Sequence, residues 1–355
     1  MTQQYSTTCD YDIFIGIDVD KRSFALTAVD HGTMKKSCKL PSDPDQLLRT
    51  IKHRYDGQRV LCVYEAGPTG YHLYDYLMER NQPCLMVSPL SIPKPPNSRV
   101  KTNRIDSEKL AVELRGGKLV SIRVPVGPYR ELRHLITARA NYARSRMIAR
   151  QRIKGLLLFA HLSTGLPENA ENWCRRHIEE LEQLTCTPAV RLRLNMLLAD
   201  MKHAREQTLS VIKQLKAFCT VHQDIDRYRN YLQSISGIGF ITAMTTLGRI
   251  GDPRYLRNVR EGGAFMGLVP CEHSTGETIC RGSITHLGNR TARSLLIEAA
   301  WVAIRQDAEL DQFYHRVKQR HHPTVAARKA IVAVARKLTA RIYCVLKEQR
   351  PYHIH

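Results

Sequence analysis

Apolar positions along the first 125 residues alternate between strand-like and helix-like spacing, and beyond that point only the helical spacing continues. Ile13, Phe14, Ile15 and Ile17 form a near-continuous run that predicts a buried strand, and Ser23 to Val29 predicts a second strand able to pair with it. Asp43 and Asp45 can start a short helix through Leu47, Leu48 and Ile51, after which Arg59 to Tyr64 (RVLCVY) reads as a strand ending at Glu65. The turn EAGPTGY is made tight by Gly67, Pro68 and Gly70, and a helix follows over 71–80 with Leu73, Tyr76 and Leu77 on its apolar face. Pro83 to Pro89 predicts a third central strand. Past Pro93, Pro95 and Pro96, a helix through Leu110, Ala111 and Leu114 is closed by Gly116 and Gly117. Strands and helices in alternation predict an open α/β sheet for residues 1–125.

Beyond Pro125 and Pro128 the chain reads as long helices. From Glu171 to about Lys216 the apolar spacing (Ile178, Leu181, Leu184, Leu192, Met196, Leu197, Leu209, Ile212, Leu215) is helical and broken at Pro188. Two antiparallel helices and a coiled-coil arm both satisfy it. The stretch LQSISGIGFITAMTTLGRIGD predicts a helix-hairpin-helix with its turn at Gly237 and Gly239, and Ala292 to Arg305 predicts another helix. The expected architecture is α/β plus α in three parts: residues 1–125, a helical linker or coiled coil over 126–220, and a helical C-terminal domain over 221–355. A chain of 355 residues is long enough for several such cores.

Charge narrows the choice of partner. Lys and Arg number 54 against 33 Asp and Glu, a formal charge of +21, and this excess favours a polyanion. No apolar run approaches 18 residues and the N-terminus has no export signal, so nucleic acid in the cytoplasm is expected rather than a membrane. Residues 130–154 hold eight Lys or Arg (Arg130, Arg133, Arg139, Arg144, Arg146, Arg150, Arg152, Lys154) against Glu131 alone. Such a helix is either a solvated basic face or a phosphate track, with Arg139, Arg144, Arg146 and Arg150 as contacts. The ten cysteines are scattered without a Cys-x-x-Cys pair, which fits reduced, packed thiols better than zinc or disulfides.

Three acids break otherwise apolar or basic stretches. Asp18 interrupts the first strand run, Glu65 stands at the carboxyl end of a later strand, and Asp106 lies at a helix start among Arg99, Lys101 and Arg104. Each has a local explanation as a turn cap, a helix-start acid or an ion-pair partner. Together they suit a divalent-metal site for phosphoryl transfer, because a carboxylate in a buried strand is costly unless paired or metal-bound. The Gly237–Gly239 turn fits either close helix packing or the cradling of a phosphate by free backbone N–H groups. Ser274 and Thr275 sit before Gly276 in a glycine-rich basic stretch that also contains Arg281, His286, Arg290 and Arg293. A serine there is either a turn residue or a nucleophile with phosphate-neutralising company.

These motifs resemble the DEDD transposases of bacterial insertion sequences, the group that includes the Piv and MooV DNA invertases and the bridge-RNA-guided recombinases. The resemblance runs through GIDVDK (Asp18), YEAGPTGY (Glu65) and VKTNRIDSEKLA (Asp106), and then through Leu268, Pro270, Ser274-Thr275-Gly276, Arg281-Gly282 and Gly288-Asn289. It implies an RNase H or RuvC-like N-terminal domain and Mg²⁺ on Asp18, Glu65 and Asp106. It also implies covalent attack on DNA by a serine of the glycine-rich loop, a guide RNA, and a homo-oligomer. Asn103 departs from the pattern, since the family usually carries Asp there; its amide oxygen can ligate a metal but brings no charge. Nucleic-acid contacts are expected from Lys101, Arg104, Arg139, Arg144, Arg146, Arg150, Gly237, Gly239, Arg281, Arg290 and Arg293. A hydrolytic RuvC-like nuclease and a non-catalytic nucleic-acid-binding protein are the rival functions.

Overall fold

The computed structural model describes residues 10–92, 103–162, 173–272, 281–285 and 288–353. The chain divides into two compact units, Met1–Val124 and Pro125–His355. The first unit is a five-stranded mixed sheet in the order β3-β2-β1-β4-β5. Its strands are β1 (Ile13–Val19), β2 (Ser23–Val29), β3 (Lys35–Pro41), β4 (Val60–Glu65) and β5 (Cys84–Val87). β1, β2 and β3 form an antiparallel meander, while β4 pairs parallel to β1 and β5 parallel to β4. The expected third central strand is therefore an edge strand. Its free side is partly covered where Ile122 N–H donates to the Met86 carbonyl at 2.7 Å, with one bridge from Val87 to Ser121.

Helices cover both faces of the sheet, which is why β1 reads as a continuous apolar run. On one face α1 (Pro44–Arg54) and α2 (His72–Glu79) pack on Ile13, Ile15, Ile17, Cys62 and Tyr64. Asp43 caps α1 through the Asp45 N–H, as its sequence position suggests. On the other face α3 (Asn103–Arg115) lays Leu110, Ala111 and Leu114 on Phe14, Leu61 and Val63.

The second unit is mainly helical. α4 (Pro128–Phe159) and α6 (Pro188–Val221) form a long pair, with α5 (Arg175–Gln183) packed at its far end. Pro188 occupies the first turn of α6, where its missing N–H costs nothing. α7 (Gln223–Gln233) and α8 (Phe240–Ile250) follow, then α9 (Val259–Met266), the hairpin β6 (Pro270–Glu272) and β7 (Arg281–Ile284), and finally α10 (Arg290–Ala303), α11 (Ala308–Gln319) and α12 (Pro323–Glu348). One core joins the near ends of α4 and α6 to α7, α8, α10, α11 and α12. Asp307 caps α11 through the Leu310 N–H and is itself buried against Arg341 of α12, which also reaches Glu309. Each described cysteine is a free thiol, and no helix among the described residues is long and apolar enough to cross a membrane.

Candidate active site and nucleic-acid contacts

Alternation along a strand places Phe14, Gly16 and Asp18 on one face of β1, and Leu61, Val63 and Glu65 on the same face of β4. Phe14, Leu61 and Val63 pack under α3, so Asp18 and Glu65 continue the α3 face toward the carboxyl edge of the sheet. The parallel register pairs Ile17 with Tyr64, which makes Asp18 and Glu65 the next positions on neighbouring strands. Both acids emerge where an open α/β sheet builds its sites. Asp18 is half-buried and Glu65 exposed.

α3 brings the third acid, and its seat explains how. At Gly16 the helix backbone lies against the strand: a methyl group there would stand 2.0 Å from the Ser107 carbonyl oxygen and 2.5 Å from the Ala111 nitrogen. Thr27, which pairs with Gly16 across β1 and β2, places its hydroxyl 2.9 Å from that of Ser107 in the buried contact. At the other end of the helix Arg115 donates to the carbonyls of Asp30 and Gly32, and in its middle Glu108 pairs with Lys35. α3 therefore runs antiparallel to β1, and its first turn, with Asn103 and Asp106, extends past Gly16 toward Asp18. One helical turn advances about 5.4 Å, close to the two-residue step of ~7 Å from Gly16 to Asp18. The turn after Glu65 is also fixed. The buried Tyr64 hydroxyl donates to the Gly70 carbonyl at 3.4 Å and accepts from the Tyr74 N–H at 3.2 Å, and burial pushes its pKa up.

The backbone thus gathers Asp18, Glu65, Asn103 and Asp106 at one edge. As the side chains stand, no three His, Cys, Asp or Glu among the described residues form a metal-sized cluster. The donor set nonetheless suits a hard divalent cation, being carboxylate and amide oxygen throughout. Lys101 lies outside the described residues, and Arg104 is exposed on the first turn of α3.

In the second unit Ser274, Thr275 and His286 fall outside the described residues, but the frame of their segment is described. Gly267 ends α9 with φ +65°, and its backbone meets Gly288 so closely that a methyl group on Gly288 would stand 2.2 Å from the Gly267 nitrogen. Leu268-x-Pro270 and Gly288-Asn289, distant in sequence, are one joint. Asn289 caps α10 through the Ala292 N–H at 2.9 Å and donates its own N–H to the Phe265 carbonyl at 3.1 Å. Arg281 opens β7 and Arg290 is exposed at the start of α10.

Two expectations are corrected here. Arg293 is not a surface contact: it is 9% exposed, its guanidinium lies under Gly267, and it donates toward that carbonyl at 3.5 Å. Its work is to hold the joint. Gly237 likewise serves packing, because a methyl group there would stand 2.3 Å from the Ala299 carbonyl oxygen of α10. Gly239, the residue before α8, has open space around it. Along α4, Arg144 is exposed while Arg139, Arg146 and Arg150 are half-buried, three of them turned from the outer face that the charge pattern suggested. Arg133, counted in the sequence among the basic residues of α4, serves instead as a cap of α8, donating to the carbonyls of Gly248 at 2.7 Å and Arg249 at 3.0 Å.

Residues 15–162 match a transposase model of the DEDD type, and residues 229–315 match the model described as the transposase IS116/IS110/IS902 family. The chain is 31% identical over 299 residues to y4qE, a Sinorhizobium fredii protein that carries the name transposase, covering 82% of this chain and 72% of that one. It is 26% identical to the transposase for insertion sequence element IS1111A of Coxiella burnetii, over 95% of this chain and 90% of the other. The pilin gene-inverting protein of Moraxella bovis is 22% identical over 96% of this chain and 97% of its own. With both models matched in order and a relative of this identity aligned along most of its length, the chain belongs to the IS116/IS110/IS902 family of DEDD transposases.

Proposed function

We propose that this transposase cuts and rejoins DNA through a covalent protein–DNA intermediate, with Asp18, Glu65 and Asp106 holding Mg²⁺ and Asn103 as a neutral ligand. What supports the reading is that the β1–β4 register makes Asp18 and Glu65 neighbours on one face, while the Gly16 seat directs the first turn of α3, with Asp106, toward the same edge. The mixed sheet with adjacent parallel strands bearing acids supports an RNase H or RuvC-like assignment of the first unit. Divalent metal, when bound, supplies Lewis-acid polarisation of the phosphoryl oxygens. The carboxylates fix it, and Asn103 orients without adding charge.

A hydroxyl of the segment between β6 and β7 is the nucleophile in this reading. Its oxygen bonds to phosphorus, the bond from phosphorus to one deoxyribose oxygen breaks, and the hydroxyl proton passes to the leaving side. The phosphodiester energy is kept in the new ester, so attack by a second DNA hydroxyl rejoins the strands. We favour Ser274 over Thr275, because a primary hydroxyl is less hindered and its rotamer less restricted for in-line approach. The excess of basic residues supports nucleic acid as the partner, and the resemblance to the bridge-RNA-guided group adds a guide RNA beside the DNA and more than one copy of the chain acting together in the cytoplasm.

Incubation with DNA carrying the element ends, followed by digestion and mass spectrometry, identifies the linked residue. A phosphate ester on Ser274 is the expected result. An ester on Thr275 moves the nucleophile by one place; strand cleavage without any adduct replaces this mechanism with hydrolysis, and no cleavage at all makes the chain a non-catalytic binder.

A further inference from the structure

The seam between α4 and α6 carries arginines where a coiled coil carries apolar residues. Leu132, Arg139, Arg146 and Ile153 repeat every seven residues along α4, the spacing that keeps one stripe on a helix partner. Leu132 and Ile153 are fully buried, the first in the core shared with Leu215 and Cys219 of α6, the second beside Leu194, Leu198 and Met201. Between these two apolar ends α6 offers Ala204, which is buried, and Thr208, whose hydroxyl donates to its own helix at Ala204. The middle of the seam therefore has small residues on one helix and guanidinium groups on the other.

Those groups are not satisfied by protein. The Nε atoms of Arg139, Arg146 and Arg150 are closed to solvent and have no hydrogen-bond partner. Burial, with the nearby Arg205 cation of α6, holds the Arg146 guanidinium below its ordinary value. Arg150 is lowered by burial and then by Arg146 and Arg205. Arg139 is also lowered by burial, and only Glu298 of α10 acts in the opposite sense. The Arg150 guanidinium lies 5.2 Å from the centroid of the Trp173 ring, an apolar platform that leaves its donors without an anion. A buried donor without a partner is costly, and clustered like charges add to the cost.

We propose that the central α4–α6 seam, built from Arg139, Arg146, Arg150 and Arg205 beside Trp173, is a binding site for backbone phosphates of a polynucleotide, and that the arm stiffens when the site is filled. Guanidinium forks suit tetrahedral phosphate oxygens, and Trp173 offers a face on which a base can stack. A second copy of this chain is a poor source of the anion, because it carries a charge of +21 itself. Without its ligand the seam repels itself; with it, the orphaned donors gain acceptors. The inference rests on the nucleic-acid partner proposed above and adds where on the chain, and with what structural consequence, it is held.

Hydrogen exchange on the full-length protein reads the stiffening directly, with single-stranded RNA and duplex DNA as separate probes at low salt. Amides of α4 and α6 facing the seam are expected to exchange roughly tenfold more slowly when the probe stands at about ten times its Kd. Gain with RNA alone or with DNA alone assigns the phosphate source. In Arg139→Leu/Arg146→Leu the two layers become apolar, so the seam is expected to be protected without a probe and to gain nothing from one. Fluorescence anisotropy on the same samples separates the two readings. If the polynucleotide binds but the wild-type seam gains no protection, the seam site is overturned and the nucleic-acid reading stands. Undiminished gain in the double variant overturns it equally, as does equal gain with a glutamate-rich polypeptide, which would mark an acidic protein partner. Absence of binding to both polynucleotides overturns both readings.

Discussion

A single hydrogen atom at position 16 sets how near α3 can lie to the sheet. Replacing it by the methyl of Gly16→Ala places carbon 2.0 Å from a carbonyl oxygen in a helix already tied down at both ends. The helix must lift or slide, at a cost on the order of 1–3 kcal/mol from overpacking, and Asn103 and Asp106 move with it. Asp18→Ala behaves in the opposite way, since it removes a half-buried carboxylate and leaves the seat alone. The expected pattern is a lowered Tm with lost strand cleavage for Gly16→Ala, and a Tm near wild type with lost cleavage for Asp18→Ala. Thermal melts and a cleavage assay on the two variants decide it; a Gly16→Ala protein with wild-type cleavage removes α3 placement from the mechanism. Asn103 matters at this scale as the one uncharged member of the set, and nothing in the structure explains why it replaces an acid.

Among the elements, the joint of α11 with α12 depends on one buried pair. Burial by itself would raise the Asp307 pKa, but hydrogen bonds from Arg341 and from backbone N–H groups outweigh it and hold the carboxyl below its usual range. Its contribution to folding is complete above the unfolded carboxyl value of ~4 and is lost as the pH falls through the lower folded value. Asp307→Asn should therefore destabilise the second unit near neutral pH, by roughly 1.5–3 kcal/mol because Arg341 keeps Glu309 as a partner, and the gap to wild type should close only in strong acid. Denaturant melts from pH 7 down to about pH 2 measure that gap. The elements legible in the sequence were those with a one-dimensional signal: β1, β2 and β4 from apolar runs, α1 from its cap, α2, α3 and α10 from helical spacing, α6 from the break at Pro188. β3 (KKSCKLP) lacks an apolar run because it is an edge strand, largely exposed along its length. β6 and β7 are too short to carry a pattern, and β5 lost its central place because sheet order depends on pairing between distant segments. The acids were legible because each breaks a pattern. Gly16 as a helix seat, Arg293 under Gly267 and the inward arginines of α4 were not, since each needs a partner supplied from elsewhere in the chain.

For the molecule as a whole the excess of basic residues predicts nucleic-acid affinity that falls steeply with salt. Charge reversal at the exposed Arg144 is expected to lower the slope of log affinity against log salt by about 0.7–0.9 or more, and weaken binding alike across sequences. Filter binding over a salt series checks it; an unchanged slope returns that face of α4 to solvent. The joint between Gly267 and Gly288 has a different consequence. The base of the β6–β7 hairpin is fixed from outside it, by two glycines in contact, by the Asn289 cap and by Arg293 beneath. The anchors of the hairpin are therefore set by residues other than those of the stretch it carries. A chimera that exchanges this stretch with that of a relative is expected to keep the joint intact, so a loss of strand exchange in it reports on the exchanged residues and not on their frame.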